Sequence, residues 1–182
     1  MRANLPPDLL ARMLAYDPDT GSLTWLPRCP ALVGWSEARC RAWNEAWAGK
    51  PAFTAKNHGY HRGSLLGRQY LAHRVAWALH HGEWPSLGID HVNGNPSDNR
   101  ICNLRPADQS ENIQNAGIRS DNSSGCPGVH PRGGKWLATI TIRGTSTHLG
   151  TFAAKGDAVA AYLAAKSTFH TFQPTPREMK IA

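Results

Sequence analysis

The sequence predicts an α+β protein in two units: a small strand–loop–strand–helix site, then a three-stranded antiparallel sheet packed on one helix. Three observations carry that prediction. Between Asp90 and Asn115 a polar, glycine-containing loop separates two short apolar-flanked segments and leads into a helical one. From Lys135 to Arg143 apolar residues alternate well (KWLATITIR), with only Leu137 out of step, and a helical pattern follows from Gly156 to Phe169. Between them, Ala116 to Gly125 is polar with no apolar period, as a joint would be.

The elements follow in order. Residues 5–16 (LPPDLLARMLAY) place Leu9, Leu10, Met13 and Leu14 at helical spacing. Pro6 and Pro7 suit the first turn of a helix, and Asp8 complements its dipole. Asp19-Thr20-Gly21 is turn chemistry, and Ser22 to Leu26 alternates like a strand. Pro27 to Ala48 reads as irregular, with Trp35, Trp43 and Trp47 near Arg28, Arg39 and Arg41. Such aromatics can stack on bases, but packing of a small core is the preferred reading. Gly59 to Leu71 reads as a hairpin turning at Leu66-Gly67-Arg68. Ala72 to His80 reads as a helix with Val75, Ala76 and Leu79 on its apolar side, ended by Gly82-Glu83-Trp84-Pro85. His73 and His80 read as packing or surface residues.

The chemistry concentrates in Asp90–Asn115. Asp90 and His91 adjoin at the end of an expected strand, and Asn93, Asn95, Asp98 and Asn99 fill the loop. Arg100 to Arg105 is expected to be the second strand. Ser110 to Asn115 is expected to be a helix with Asp108 or Ser110 as N-cap. Carboxylate and amide oxygens suit a hard divalent cation. An imidazole beside them can stay neutral near pH 7 and take a proton from water. Together these are the requirements of metal-assisted phosphodiester cleavage. Asx-rich loops also form plain turns that bond their own backbone. The joint spacing therefore carries the expectation, not any single residue.

That spacing, D-H-x-N-G-x-x-x-D-N-R-x-x-N-L-R followed by E-N, resembles the HNH endonucleases, specifically the phage and intron-homing type. The resemblance implies a ββα-metal catalytic core that hydrolyses double-stranded DNA to 5′-phosphate and 3′-hydroxyl ends. It makes His91 the general base, and Asp90 and Asn112 the ligands of one divalent metal ion, Mg²⁺ or Mn²⁺. Asn103, the middle letter of the motif, would hold the geometry of the catalytic site. Asn99 would brace the loop, and Arg105 would contact a phosphate. The Y-D-P-x-T-G-x-L-x-W segment, Tyr16 to Trp25, and the H-R-V-A-W opening at His73 look like the same family. The first of these carries no assignable chemistry.

Behind the joint, Gly128 to His130 reads as a short strand, Arg132-Gly133-Gly134 as a turn and Lys135 to Arg143 as a second strand. Ser146 to Phe152 returns as a third. Trp136, Ala138, Ile140 and Ile142 face the helix, where Val159, Tyr162 and Leu163 can cover them. The opposite sheet face is polar and basic, and a sheet of this width suits a major groove. G-V-x-x-R-x-x-K-W-x-A-x-I with L-G-T-F-x-x-x-x-D-A-x-x-A-Y resembles the APETALA2/ethylene-response-factor DNA-binding domain of plants. Matching positions would turn Arg132, Lys135, Thr139, Thr141, Arg143 and His148 toward DNA. Thr141 cannot make the bidentate contact of an arginine, so the plant target sequences do not transfer.

Charge agrees with this division. The net charge is +7, and residues 113–182 hold eight Lys and Arg against three Asp and Glu. A basic tail favours a polyanion. Cys29, Cys40, Cys102 and Cys126 form no C-x-x-C pair, and reduced thiols are expected. A zinc site built from Cys29 and Cys40 with nearby His is the lesser reading, since their spacing matches no known pattern. With no apolar leader or membrane-length run, the expectation is a cytoplasmic monomer, not secreted and with no membrane partner. The expected domains are residues 1–55 as a leader, 56–116 as the catalytic core, 117–124 as a linker and 125–182 as the DNA-binding unit. The alternative is a non-cleaving DNA-binding regulator with a vestigial site.

Overall fold

The computed structural model describes residues 3–115, 118 and 122–173. The chain divides into two compact units, Met1–Pro106 and Ala107–Ala182.

In the first unit, α1 (Pro7–Ala11) is shorter than the apolar spacing predicts. Leu14 and Tyr16 belong instead to β1 (Leu14–Tyr16), which pairs antiparallel with β2 (Leu23–Trp25) in the register Leu14↔Trp25 and Tyr16↔Leu23. Met13 to Tyr16 fits a two-residue period as well as a helical one, and the strand partner across the Asp17–Gly21 turn decides between them. Two helices replace the irregular stretch: α2 (Pro30–Val33) and α3 (Glu37–Trp47), the second capped by Ser36 Oγ accepting from the Arg39 N–H at 3.3 Å.

A three-stranded sheet in the order β3-β4-β5 follows, with β3 (Ala55–Asn57), β4 (Tyr60–Leu65) and β5 (Arg68–Leu71). The expected hairpin is β4–β5, turning at Leu66 and Gly67, both with positive φ. α4 (Ala72–His81) then packs Val75 and Ala78 on Leu10, Met13, Leu14, Phe53 and Leu65, the core of this unit. Tyr70 stacks on Trp84 at 5.4 Å, and Trp84 Nε1 donates to the Leu5 carbonyl at 2.7 Å. Arg74 donates to the carbonyls of Pro85 and Leu87, both at 3.2 Å, and so fixes the approach to β6 (Gly88–His91). β6 pairs with β7 (Leu104–Ala107). The predicted strand over Arg100–Arg105 is thus corrected: Ile101–Asn103 is one turn of 3₁₀ helix, and strand begins at Leu104.

In the second unit, α5 (Gln109–Asn115) opens on a reciprocal cap. Asp108 Oδ1 accepts from the Glu111 N–H, and Glu111 Oε2 accepts from the Asp108 N–H, both at 2.8 Å. β8 (Val129–Arg132), β9 (Lys135–Ile142) and β10 (Thr145–Phe152) form an antiparallel sheet in the order β10-β9-β8. α6 (Lys155–Phe169) covers one face, burying Ala158, Tyr162 and Ala165 against Val129, Ala138 and Ile140. Gly128 (φ +72°) admits no side chain there, since a Cβ would lie 2.2 Å from the Thr139 carbonyl oxygen. Lys166, buried on α6, donates to the Gln114 carbonyl at 2.9 Å and holds the last turn of α5 within this unit. No helix among the described residues is long and apolar enough to cross a membrane.

Candidate active site

Asp90 and His91 close β6, and strand pairing decides where each side chain goes. His91 is buried, and its Nε2 lies 3.4 Å from Asn99 Oδ1. Asp90 is partly buried, and its Oδ2 accepts from Arg105 Nε at 2.9 Å and Nη2 at 2.8 Å. The arginine read as a phosphate contact therefore spends two donors on the neighbouring carboxylate.

The loop between the strands is bonded through its own side chains. Asn103 is buried: its Oδ1 accepts from the Asn93 N–H at 2.9 Å and its Nδ2 donates to the Asp98 carbonyl at 2.8 Å. Its carbonyl accepts from the Val92 N–H at 2.9 Å. One side chain thus spans both ends of the turn. Asp98 accepts from Asn93 Nδ2 at 2.7 Å and takes two bonds from Arg100, at 2.9 and 2.6 Å. The Arg100 hydrogen bonds hold the Asp98 carboxyl down at about 2.

Asn99 is buried as well, and its carbonyl accepts from Tyr16 Oη at 2.8 Å. The N-terminal Y-D-P-x-T-G segment, to which sequence reading gave no chemistry, is therefore a buttress. The Ile101 N–H donates to the Pro18 carbonyl at 3.0 Å. Gly21 (φ +74°) lies so close that a Cβ would sit 2.5 Å from the Arg100 nitrogen. Only glycine permits that approach.

Two residues beside His91 were not read as part of the site. His73, on α4, is buried with its ring 5.1 Å from that of His91, nearly perpendicular, and its Nδ1 has no hydrogen-bond partner. Tyr60, at the start of β4, stands 5.3 Å from His73 and 5.8 Å from His91. Burial, then the charges of His91 and Arg74, drives the His73 pKa down to about 3, so its ring is neutral at pH 7. The H-R-V-A-W motif was the one signal for it. His80 is exposed on the same helix, its ring 4.8 Å from that of His81.

Asn112 lies on α5 in the second unit, partly buried, its N–H donating to the Asp108 carbonyl at 3.0 Å. The residues read as facing DNA also lie in this unit. Register places Arg132 opposite Lys135, His148 opposite Thr139, and Ser146 opposite Thr141. Directly paired residues share a face, so Arg132, Lys135, Thr139, Thr141 and His148 gather on the side away from α6. Arg143, exposed with φ +48°, belongs to the β9–β10 turn rather than to the strand.

Among the described residues no group of three or more His, Cys, Asp and Glu could hold a metal. Cys40 is buried and Cys29 exposed. The donors of the motif are instead one carboxylate and amide oxygens. That set suits a magnesium-like cation, which retains waters and takes phosphate oxygens rather than filling its shell from protein.

No curated protein and no solved structure matches the chain. A family model described as HNH endonuclease does match residues 70–114, from Tyr70 through Asp90 and His91 to Gln114, so this stretch is similar to HNH-type nucleases.

Proposed function

We propose that the protein is a metal-dependent HNH endonuclease that hydrolyses phosphodiester bonds in double-stranded DNA. The observation that carries the reading is a buried imidazole set against an amide oxygen, beside a carboxylate aligned by arginine, inside the stretch that matches the nuclease family. His91 is the general base. Contact of its Nε2 with Asn99 Oδ1 favours the tautomer with its proton on Nε2, which makes Nδ1 the nitrogen that accepts a proton from water. Asn103 holds the loop closed behind it. Neutral His73 adds no positive charge next to the base.

Asp90 would hold one Mg²⁺ or Mn²⁺, and Asn112 enters as its second ligand on the motif alone. When bound, the cation would stabilise charge on the scissile phosphate and the departing oxygen. Residues 56–116 are the cutting module. Residues 125–182 are a DNA-holding module of APETALA2/ethylene-response-factor type, with the basic sheet face toward the duplex. The protein acts as a monomer in the cytoplasm.

The deciding experiment is plasmid cleavage with Mg²⁺ or Mn²⁺, with and without chelator, by the parent and His91→Ala. The variant should lose at least ~10²-fold in rate while retaining duplex affinity, because the imidazole acts on water and not on phosphate. Undiminished cleavage by His91→Ala, or cleavage indifferent to chelator, rejects the mechanism.

A further inference from the structure

The first unit contains a groove of about 430 Å³ that the proposed chemistry does not use. Trp25, Trp35, Trp43, Trp47 and Phe53 supply its aromatic lining, Arg28 and Arg62 supply positive charge, and no carboxylate lines it. Trp43 meets Trp25 edge-on at 5.7 Å and Trp35 at 6.5 Å, so these rings do not stack face to face. Trp47 is half exposed.

Arg28 is the unusual member. It is only 7% exposed, and its guanidinium lies 4.7 Å from the Trp43 ring and 5.3 Å from the Trp25 ring. Asn44 clamps its backbone, Oδ1 accepting from the Arg28 N–H at 2.6 Å and Nδ2 donating to the Arg28 carbonyl at 2.8 Å. Cation–π contact satisfies the charge over the rings but supplies no acceptor in the guanidinium plane. Nη1 is buried without any hydrogen-bond partner. A rigidly held donor in an aromatic groove with no acid calls for a planar ligand that carries acceptors.

We propose that this groove receives an unpaired base of a DNA strand, stacked on Trp47 and offering an acceptor to Arg28 Nη1. The naming of DNA rests on the nuclease reading. Volume and lining fit one small planar group, and aromatic faces take any base. The positive lining matches a polyanionic backbone. Strand β4 ties the groove to the proposed catalytic base: Tyr60 at its start lies against His91, whereas Arg62 to Leu65 line the groove. At about 3.3 Å per residue the two lie roughly 10 Å apart along the strand, so the base would flank the scissile phosphate closely. A proline-rich peptide could cover the aromatic walls and offer a carbonyl to Arg28, but it brings no anionic charge to match Arg28 and Arg62.

Equilibrium binding of the full chain, with chelator present to prevent cleavage, tests this. The probes are a fluorescent single-stranded oligothymidylate and a strand of equal length carrying abasic sites. Both present the same phosphates, so their difference isolates the bases. The oligothymidylate should bind about tenfold more tightly. Trp47→Ala, a change at an exposed side chain, and Arg28→Lys should each erase most of that preference and leave affinity for the abasic strand unchanged. Equal binding of both strands by the parent, a preference that survives in Trp47→Ala, or a proline-rich peptide that oligothymidylate cannot displace would overturn the proposal. Plasmid cleavage measured on the same preparations separates the two readings. Base-dependent binding without cleavage supports the groove and rejects the nuclease, and cleavage with base-indifferent binding does the reverse.

Discussion

Arg105 donates twice to a single oxygen of Asp90, through Nε at 2.9 Å and Nη2 at 2.8 Å. Pairing of β6 with β7 brings these side chains together across the sheet. A guanidinium used in this way fixes the carboxylate's orientation, as outer partners of metal ligands do. We predict that Arg105→Ala raises the metal concentration needed for half-maximal cleavage about tenfold or more. The slope of log affinity against log salt should stay unchanged. A phosphate contact would instead reduce that slope by about one. Metal titrations and salt-series binding on the same variant distinguish the two roles.

Asn103 holds the loop from both sides, so its loss should appear in stability before it appears in chemistry. Asn103→Ala leaves the Asn93 N–H and the Asp98 carbonyl without their partner, at a cost of about 1–3 kcal/mol. Asn103→Asp keeps the acceptor for Asn93 but faces a carbonyl with another acceptor, and should also destabilise. Urea denaturation at pH 7 checks both. A midpoint identical to the parent's in either variant shows that the loop is held elsewhere.

The Asp90–Asn115 motif was legible because its residues are close in sequence and their joint spacing carries the family resemblance from which the expected roles come. Asp90, His91, Asn99 and Asn103 all lie on one loop and its flanks; the family resemblance implies a geometric role for Asn103, and the structure shows its side chain bonded to both ends of the turn. His73 was not legible, because a lone histidine on a helix signals nothing until α4 and β4 enclose it. Nor was the buttress formed by Tyr16, Pro18 and Gly21, whose partners lie some eighty residues away. α3 was missed because EARCRAWNEAW buries only Cys40, leaving little apolar period, and its signal is the Ser36 cap. The strands of the tail read well because Trp136, Ala138, Ile140 and Ile142 repeat every second residue and the turns fall on Gly133-Gly134 and Gly144.

His73 gives a pH dependence whose sign follows from its surroundings. Burial depresses its folded pKa from 6.5 to about 3, so unfolded chains take up a proton first as pH falls. Its neutral form supports the fold above about 6.5, and that support is lost progressively as pH drops toward 3. Each unit of pH in that window should cost about 1.4 kcal/mol for one proton. The fall in urea midpoint from pH 7 to pH 5 should be clearly smaller in His73→Phe, which keeps a ring but cannot titrate. Parallel curves for parent and variant would show that His73 does not bind that proton.

The last prediction concerns the basic face of the second unit. Arg132 and Lys135 pair directly across β8 and β9, both exposed and on the side away from α6, with His148 and Thr139 beyond them. If this face holds duplex DNA, each cation neutralises a phosphate and releases counterions. Arg132→Ala and Lys135→Ala should then each lower the slope of log affinity against log salt by about one, equally on all sequences. Both side chains are solvent-exposed at a strand turn, so the folded unit should be unaffected, and a matched denaturation curve verifies that. His148→Ala should behave differently if the ring meets a base edge: any loss it causes should then fall on preferred sites and spare random DNA. The measurement is binding of the full chain over a salt series at fixed pH. Salt slopes unchanged in both the arginine and the lysine variant would mean that DNA is held by another surface.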